Sequence, residues 1–301
     1  MTHPLSPSAG IPPLLAWAFT LALGVTPVLL MSTTDGGSAG YYLLVLLSMI
    51  VLAVVRPSQV GQRWCDNRRE YVWMVAAMGV MLVGVLTSLL VHGLWKGSEV
   101  EKAVRFFSVG LILAAALRIP RAVLAHAVFG LMLGIWYAVI NLGWLVVKSG
   151  GARPATTQFN TVTYLTLLFS VLAFVMMGVR ITRFRRTEFA FKLITGIAGV
   201  AGFVATQTRG GLLAIPFFLF VGLLIQGRRM NRFKVLASVL LLGTAGAIVA
   251  SDASMRERIE LGVNEFDQCQ VAHLADTSVC IRLQLWRAAG HMIHSEPVFG
   301  V

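Results

Sequence analysis

The sequence predicts an all-α polytopic membrane protein with about nine transmembrane helices and a large helical segment outside the membrane. Two observations carry this. Of 301 residues, 57% are hydrophobic and only 13% charged. The apolar residues also gather into repeated runs, and a hydrocarbon core of roughly 30 Å needs about 20 such residues per helix. A third observation concerns charge. The net charge of +12 is concentrated in short connections between runs, where Lys and Arg act as orientation signals. With no module of interleaved basic and aromatic residues, nucleic acid is not an expected partner.

The nine expected spans are about 11–31, 41–55, 71–92, 104–117, 122–147, 162–179, 190–206, 211–225 and 234–250. Each must be a helix, because lipid offers no partner for an unpaired backbone group. Pro27 and Pro216 are expected to kink their helices. No Lys or Arg precedes the first run, so it reads as a span and not as a cleavable leader. No internal repeat is evident.

Orientation follows from alternate connections. One set carries Arg56, Arg63, Arg68 and Arg69, then Arg118 and Arg121, then Arg180, Arg183, Arg185, Arg186 and Lys192, then Arg228, Arg229, Arg232 and Lys234, fifteen in all. The opposite set, up to residue 250, holds six: Lys96, Lys102, Arg105, Lys148, Arg153 and Arg209. The basic set is expected in the cytoplasm, with the N-terminus. Residues 1–250 then form the transmembrane domain, and 251–301 begin a large extracytoplasmic loop.

That loop is polar and mixed in charge as far as Asp267, then amphipathic in "CIRLQLWRAAGHMIH". Ile281, Leu285, Ala288, Ala289 and Met292 recur at helical spacing, which predicts a helix packed on the membrane domain. Cys269 and Cys280 share this loop, in what should be an oxidising compartment. They read either as a disulfide or as two unpaired thiols. Cys65 falls in a cytoplasmic connection.

Four groups are candidates for chemistry. In "TQTRGG", Arg209 lies on the side where topology calls for no cation. Thr206 and Thr208 supply hydroxyls, Gly210 and Gly211 allow close approach, and the following helix start offers free N–H groups to an anion. Arg suits paired phosphate oxygens better than Lys. Snorkelling to headgroups explains Arg209 as well. Arg282 stands four residues before Trp286, on one helix face, and reads equally as an exposed arginine stacked on the indole. Lys102 and Arg105 stand near Glu99 and Glu101, and the i,i+4 spacing of Glu101 and Arg105 makes an ordinary ion pair. "ARPATTQFNTVTY" collects Thr156, Thr157, Gln158, Asn160, Thr161 and Thr163, groups that bind sugar hydroxyls or cap helices. The six histidines lack metal-ligand spacing, so no metal or other cofactor is expected. No nucleotide-binding or serine-nucleophile motif is present.

Taken in order, "TQTRGG" and "IRLQLWRAAGHMIHSEPVFGV" resemble two elements of the O-antigen ligase and polymerase superfamily: Ser-x-Ser-Arg-Gly at a span junction, and Arg-x-x-x-Trp followed by Pro-x-Phe-Gly-x-Gly. The chain is most similar to the lipopolysaccharide O-antigen ligases. "QFN" before span six resembles an Asn-containing family segment. Threonines at 206 and 208 replace the usual serines. The second element runs to Val301, and family members continue with a histidine base and further spans, about twelve in total.

The resemblance implies a metal-independent glycosyltransferase of the GT-C type in the bacterial inner membrane, with its active site on the periplasmic face. The donor would be polysaccharide on undecaprenyl pyrophosphate, the acceptor a sugar hydroxyl of lipid A–core. Arg209 and Arg282 would bind the pyrophosphate. Thr206, Thr208, Gly210, Lys102, Arg105, Asn160 and Trp286 would contact substrate, and a histidine beyond Val301 would be the general base. An O-antigen polymerase or a protein O-oligosaccharyltransferase shares the chemistry and differs in acceptor. A transporter or flippase for an anionic solute or lipid would place polar residues mid-span and show related halves.

Overall fold

The computed structural model describes residues 11–32, 36–55, 62–93, 95–150, 157–176, 181–182, 184–206, 239, 243, 253–271 and 278–295. Among these the elements are all helices: α1 (Pro13–Ser32), α2 (Gly36–Val54), α3 (Gln62–Val91), α4 (Gly97–Arg118), α5 (Arg121–Leu124), α6 (Ala127–Lys148), α7 (Thr157–Val175), α8 (Arg185–Ala205), α9 (Ala253–Val271) and α10 (Ser278–Ser295). Helices occupy the first seven expected spans. The eighth and ninth, 211–225 and 234–250, lie outside the described residues apart from isolated positions.

Four described stretches are long and apolar enough to cross a membrane: Pro13–Ser32, Gly36–Val54, Asn67–Val91 and Arg121–Lys148. Val162–Ala173 is apolar but shorter. Two boundaries differ from expectation. The α3 helix starts at Gln62, so residues read as a basic connection form its first turns. Span five is divided into α5 and α6, where Val128 and Phe129 donate to the carbonyls of Ala125 and His126 and tighten the chain to i,i+3 spacing. Pro27 lies inside α1 without ending it. Gly93 and Gly150, with φ of 63° and 68°, follow α3 and α6 in the left-handed conformation that glycine adopts without steric cost at a helix end.

The chain divides into two compact units. One comprises Ile11–Leu47 and Ile119–Arg256. Its core joins Met31 of α1, Leu131, Ile135, Ala138 and Leu142 of α6, and Val162, Phe169 and Ala173 of α7. Small residues let α1 and α6 approach closely. A Cβ added at Gly130 would overlap the Gly24 backbone, and one at Gly134 would meet Pro27 at 3.1 Å. Gly130 and Gly134 are one helical turn apart, the small-xxx-small pattern that brings membrane helices together. The α8 helix packs on α6 and α7, with Trp136 Nε1 donating to Thr195 Oγ1 at 3.1 Å. Hydroxyls buried in this unit satisfy themselves locally. Thr166 donates to the Val162 carbonyl and Ser170 to that of Thr166, each at 2.6 Å.

The other unit comprises Met1–Gly10, Ser48–Arg118 and Glu257–Val301. Here α3 and α4 pack with Gly110 against Val75 and Gly79 against Phe107. Arg118, at the end of α4, donates Nη1 to the carbonyls of Leu52, at 2.9 Å, and Val55. Leu52 is in the last turn of α2 and Val55 directly follows it, so the cation meets both unpaired oxygens and the negative end of the helix dipole.

Candidate functional site

Of the "TQTRGG" group, Thr206 is described, and Thr208, Arg209 and Gly210 lie outside the described residues. Thr206 closes α8. Its amide donates to the Phe203 carbonyl at 3.1 Å, its hydroxyl donates to the same oxygen at 2.6 Å, and the residue is 1% exposed. The local role of Thr206 is thus to end the helix just before Arg209.

Arg282 and Trp286 are exposed on α10, Trp286 at 71%. The expected helix is present, and its apolar Ile281, Leu285 and Met292 are 47%, 61% and 42% exposed. The residues 278–295 include no Asp or Glu, so Arg282 has no carboxylate on its own helix. Cys269, near the end of α9, and Cys280, near the start of α10, form a disulfide with Cα atoms 5.4 Å apart. Both residues are buried.

Lys102 pairs with Glu99 at 2.9 Å, and Arg105 with Glu101, all in the first turns of α4. Both pairs are exposed, and such pairs contribute little to stability. Asn160 lies in the first turn of α7. Thr163, grouped with it in the sequence, is fully buried within α7, which removes it from any sugar-facing set. Among the described residues, no three His, Cys, Asp or Glu side chains form a group able to hold a metal ion.

Among the described residues, a further polar cluster lies outside the groups singled out by sequence. Glu188 and Lys192, on the first turns of α8, form an ion pair of 2.6 Å with side chains 7% and 1% exposed. The Glu188 carboxylate also accepts from the amides of Ile181, at 3.1 Å, and Thr182, at 2.7 Å, and from the Thr182 hydroxyl, at 2.8 Å. Lys192 Nζ further donates to the Met176 carbonyl at 3.4 Å. The arrangement ties residues 181–182 to the first turn of α8, much as a capping box does. Burial pushes the Glu188 carboxyl up. Hydrogen bonds from Lys192, Thr182 and Ile181 outweigh it and hold the group down at about 2. The i,i+4 spacing was a visible signal. The contact with residues 181–182 had none.

A protein-family model described as O-antigen ligase matches residues 193–301. The match begins within α8 and takes in Arg209, Arg282, Trp286 and both bonded cysteines. No curated protein and no solved structure matches the chain.

Proposed function

We propose, from the match of residues 193–301 to a family model described as O-antigen ligase, that this multi-pass membrane protein is an O-antigen ligase. It would transfer polysaccharide from undecaprenyl pyrophosphate to a sugar hydroxyl of lipid A–core, on the periplasmic face of the inner membrane. The observation that carries the reading is the position of the match, which covers both arginine-bearing elements of the sequence.

In this reaction the anomeric carbon gains a bond to the acceptor oxygen and loses its bond to the pyrophosphate oxygen. The electron pair leaves with the lipid pyrophosphate, and the acceptor proton passes to a general base. Negative charge therefore grows on the leaving group. Fixed cations aimed at that charge lower the barrier, and each such group is worth about 10²–10³ in rate. We assign this task to Arg209 and Arg282, whose planar guanidinium groups can bind two phosphate oxygens at once. No metal is required by this scheme. A general base at the acceptor hydroxyl would contribute about 10²–10⁴ in rate. Thr208, Gly210, Asn160 and Trp286 are assigned to substrate contact. Lys102 and Arg105 are secondary phosphate contacts, each of which would have to exchange its glutamate for the donor.

The test is complementation of a ligase-null strain with the full-length protein. Arg209→Ala and Arg282→Ala should lower transfer of polysaccharide to lipid A–core by about 10²–10³ while protein level in the membrane is unchanged. Arg209→Lys should remain impaired. Normal surface polysaccharide from either alanine variant would defeat the assigned roles. Failure of the wild-type protein to restore transfer in the ligase-null strain, with restored chain lengthening in a polymerase-null strain, would instead identify a polymerase.

A further inference from the structure

The α10 helix presents an unusual face. With 3.6 residues per turn, Ile281, Met292, Leu285, Ala289, Ile293 and Trp286 fall within an arc of about 140°. Five of them are markedly exposed: Ile281 47%, Leu285 61%, Trp286 71%, Met292 42% and Ile293 67%. Gln284, Arg287 and His291 occupy the other side. Arg282 does not join them: it stands inside the apolar arc, between Ala289 and Ile293. The helix is not among those apolar enough to cross a membrane, and it holds no acidic residue.

An arginine centred in an apolar arc is costly against a protein surface unless a carboxylate is built to meet it. At the boundary of a bilayer the same arrangement is favourable. The apolar side chains and the arginine stem enter the acyl region while the guanidinium reaches the phosphate level. Trp286, at one edge of the arc, suits the headgroup layer, where an indole can be half wet. Net positive charge with no acid complements anionic lipid. The disulfide at Cys280 holds the start of α10 beside the end of α9.

We propose that α10 is an interfacial helix that lies on the bilayer, with its Ile281–Leu285–Met292 face in the lipid and Arg282 at the phosphate level, attracted to anionic headgroups there and so placed at the depth where a lipid-linked pyrophosphate would also present its charge. The placement of α10 does not rest on the transfer reaction, and its test requires neither donor nor acceptor.

Nitroxide labels are placed singly at Leu285→Cys, Met292→Cys, Gln284→Cys and His291→Cys in full-length protein carrying Cys65→Ser and retaining the native disulfide. The protein is reconstituted in phosphatidylcholine nanodiscs with and without phosphatidylglycerol. Labels at 285 and 292 should collide with oxygen several-fold more, relative to a water-borne nickel chelate, than labels at 284 and 291. Phosphatidylglycerol should widen that contrast, and Arg282→Gln should abolish the widening. Equal access to the chelate at all four positions would overturn the proposal, because the helix would then stand in water. So would shielding of 285 and 292 from both reagents, which would mean that protein or a second copy covers the face. A phosphatidylglycerol effect that survives this substitution would overturn the assigned attraction.

Discussion

At the scale of single residues, charge counting gave Lys192 and Arg118 one role and the structure gives each a second. Lys192 is buried against Glu188, and Arg118 closes the last turn of α2. Glu188→Gln leaves the Lys192 ammonium buried without its counter-charge, a change that typically costs about 3–5 kcal/mol. Thermal unfolding in detergent at neutral pH should show that loss. The loss should depend on pH in one direction. The Glu188 carboxyl is lowered in the folded protein from its ordinary 4.5 to about 2. Its stabilisation is thus fully present above the ordinary value and fades as pH falls toward 2. Wild type and variant should therefore converge in acid, and a constant difference down to that range would show that the carboxylate's charge is not what matters. Arg118→Ala should cost about 1.5–3 kcal/mol, the usual worth of hydrogen bonds to a charged group, measured by the same unfolding. The spacing of Glu188 and Lys192 was legible in the sequence. Their depth was not, because burial and the contact with residues 181–182 are set by tertiary structure.

At the scale of elements, helices over the first seven expected spans were legible because lipid admits little else that spans it. Ends and contacts were less so. The basic start of α3 reads as a connection by charge, yet nothing in "QRWCDNRRE" breaks a helix. The small residues of α6 were in plain view as "GLMLG", but a glycine shows its partner only once another helix, here α1 with Gly24, is placed against it. Gly130→Val should force α1 and α6 apart, since the added Cβ would overlap the Gly24 backbone. Overpacking of this kind costs about 1–3 kcal/mol and occasionally more, readable as lower yield of folded protein and a lower Tm. Gly143→Ala is the matched control. Nothing lies within 4 Å of a Cβ there, so the better helix former should leave Tm unchanged or raise it. Equal damage from both substitutions would remove the close α1–α6 approach as the cause. Arg282 and Trp286 were placed on one helix by spacing alone. That the apolar stripe around them is exposed required the structure.

At the scale of the whole molecule, composition carried the membrane class, and two short elements carried the resemblance to the O-antigen ligases. Neither composition nor spacing decided whether Cys269 and Cys280 join, because separation in space is not written in the chain. The bond closes a loop over a sequence separation of 11, for which chain entropy alone gives about 3 kcal/mol. Cys269→Ser should lower the stability of the α9–α10 segment by up to that amount, seen as faster proteolysis between residues 253 and 295 of the membrane-embedded protein. Unchanged proteolysis would mean that α9 and α10 hold each other without the bond. The bond also serves as a record. Thiol oxidation of this kind persists in an oxidising compartment and is reversed in the reducing cytosol. A membrane-permeant alkylating reagent applied to denatured, unreduced protein should therefore modify one of the three cysteines, Cys65, and all three only after reduction. Each folded copy would thus carry a covalent mark of the side on which its α9–α10 segment matured, legible by mass long after the cell is broken.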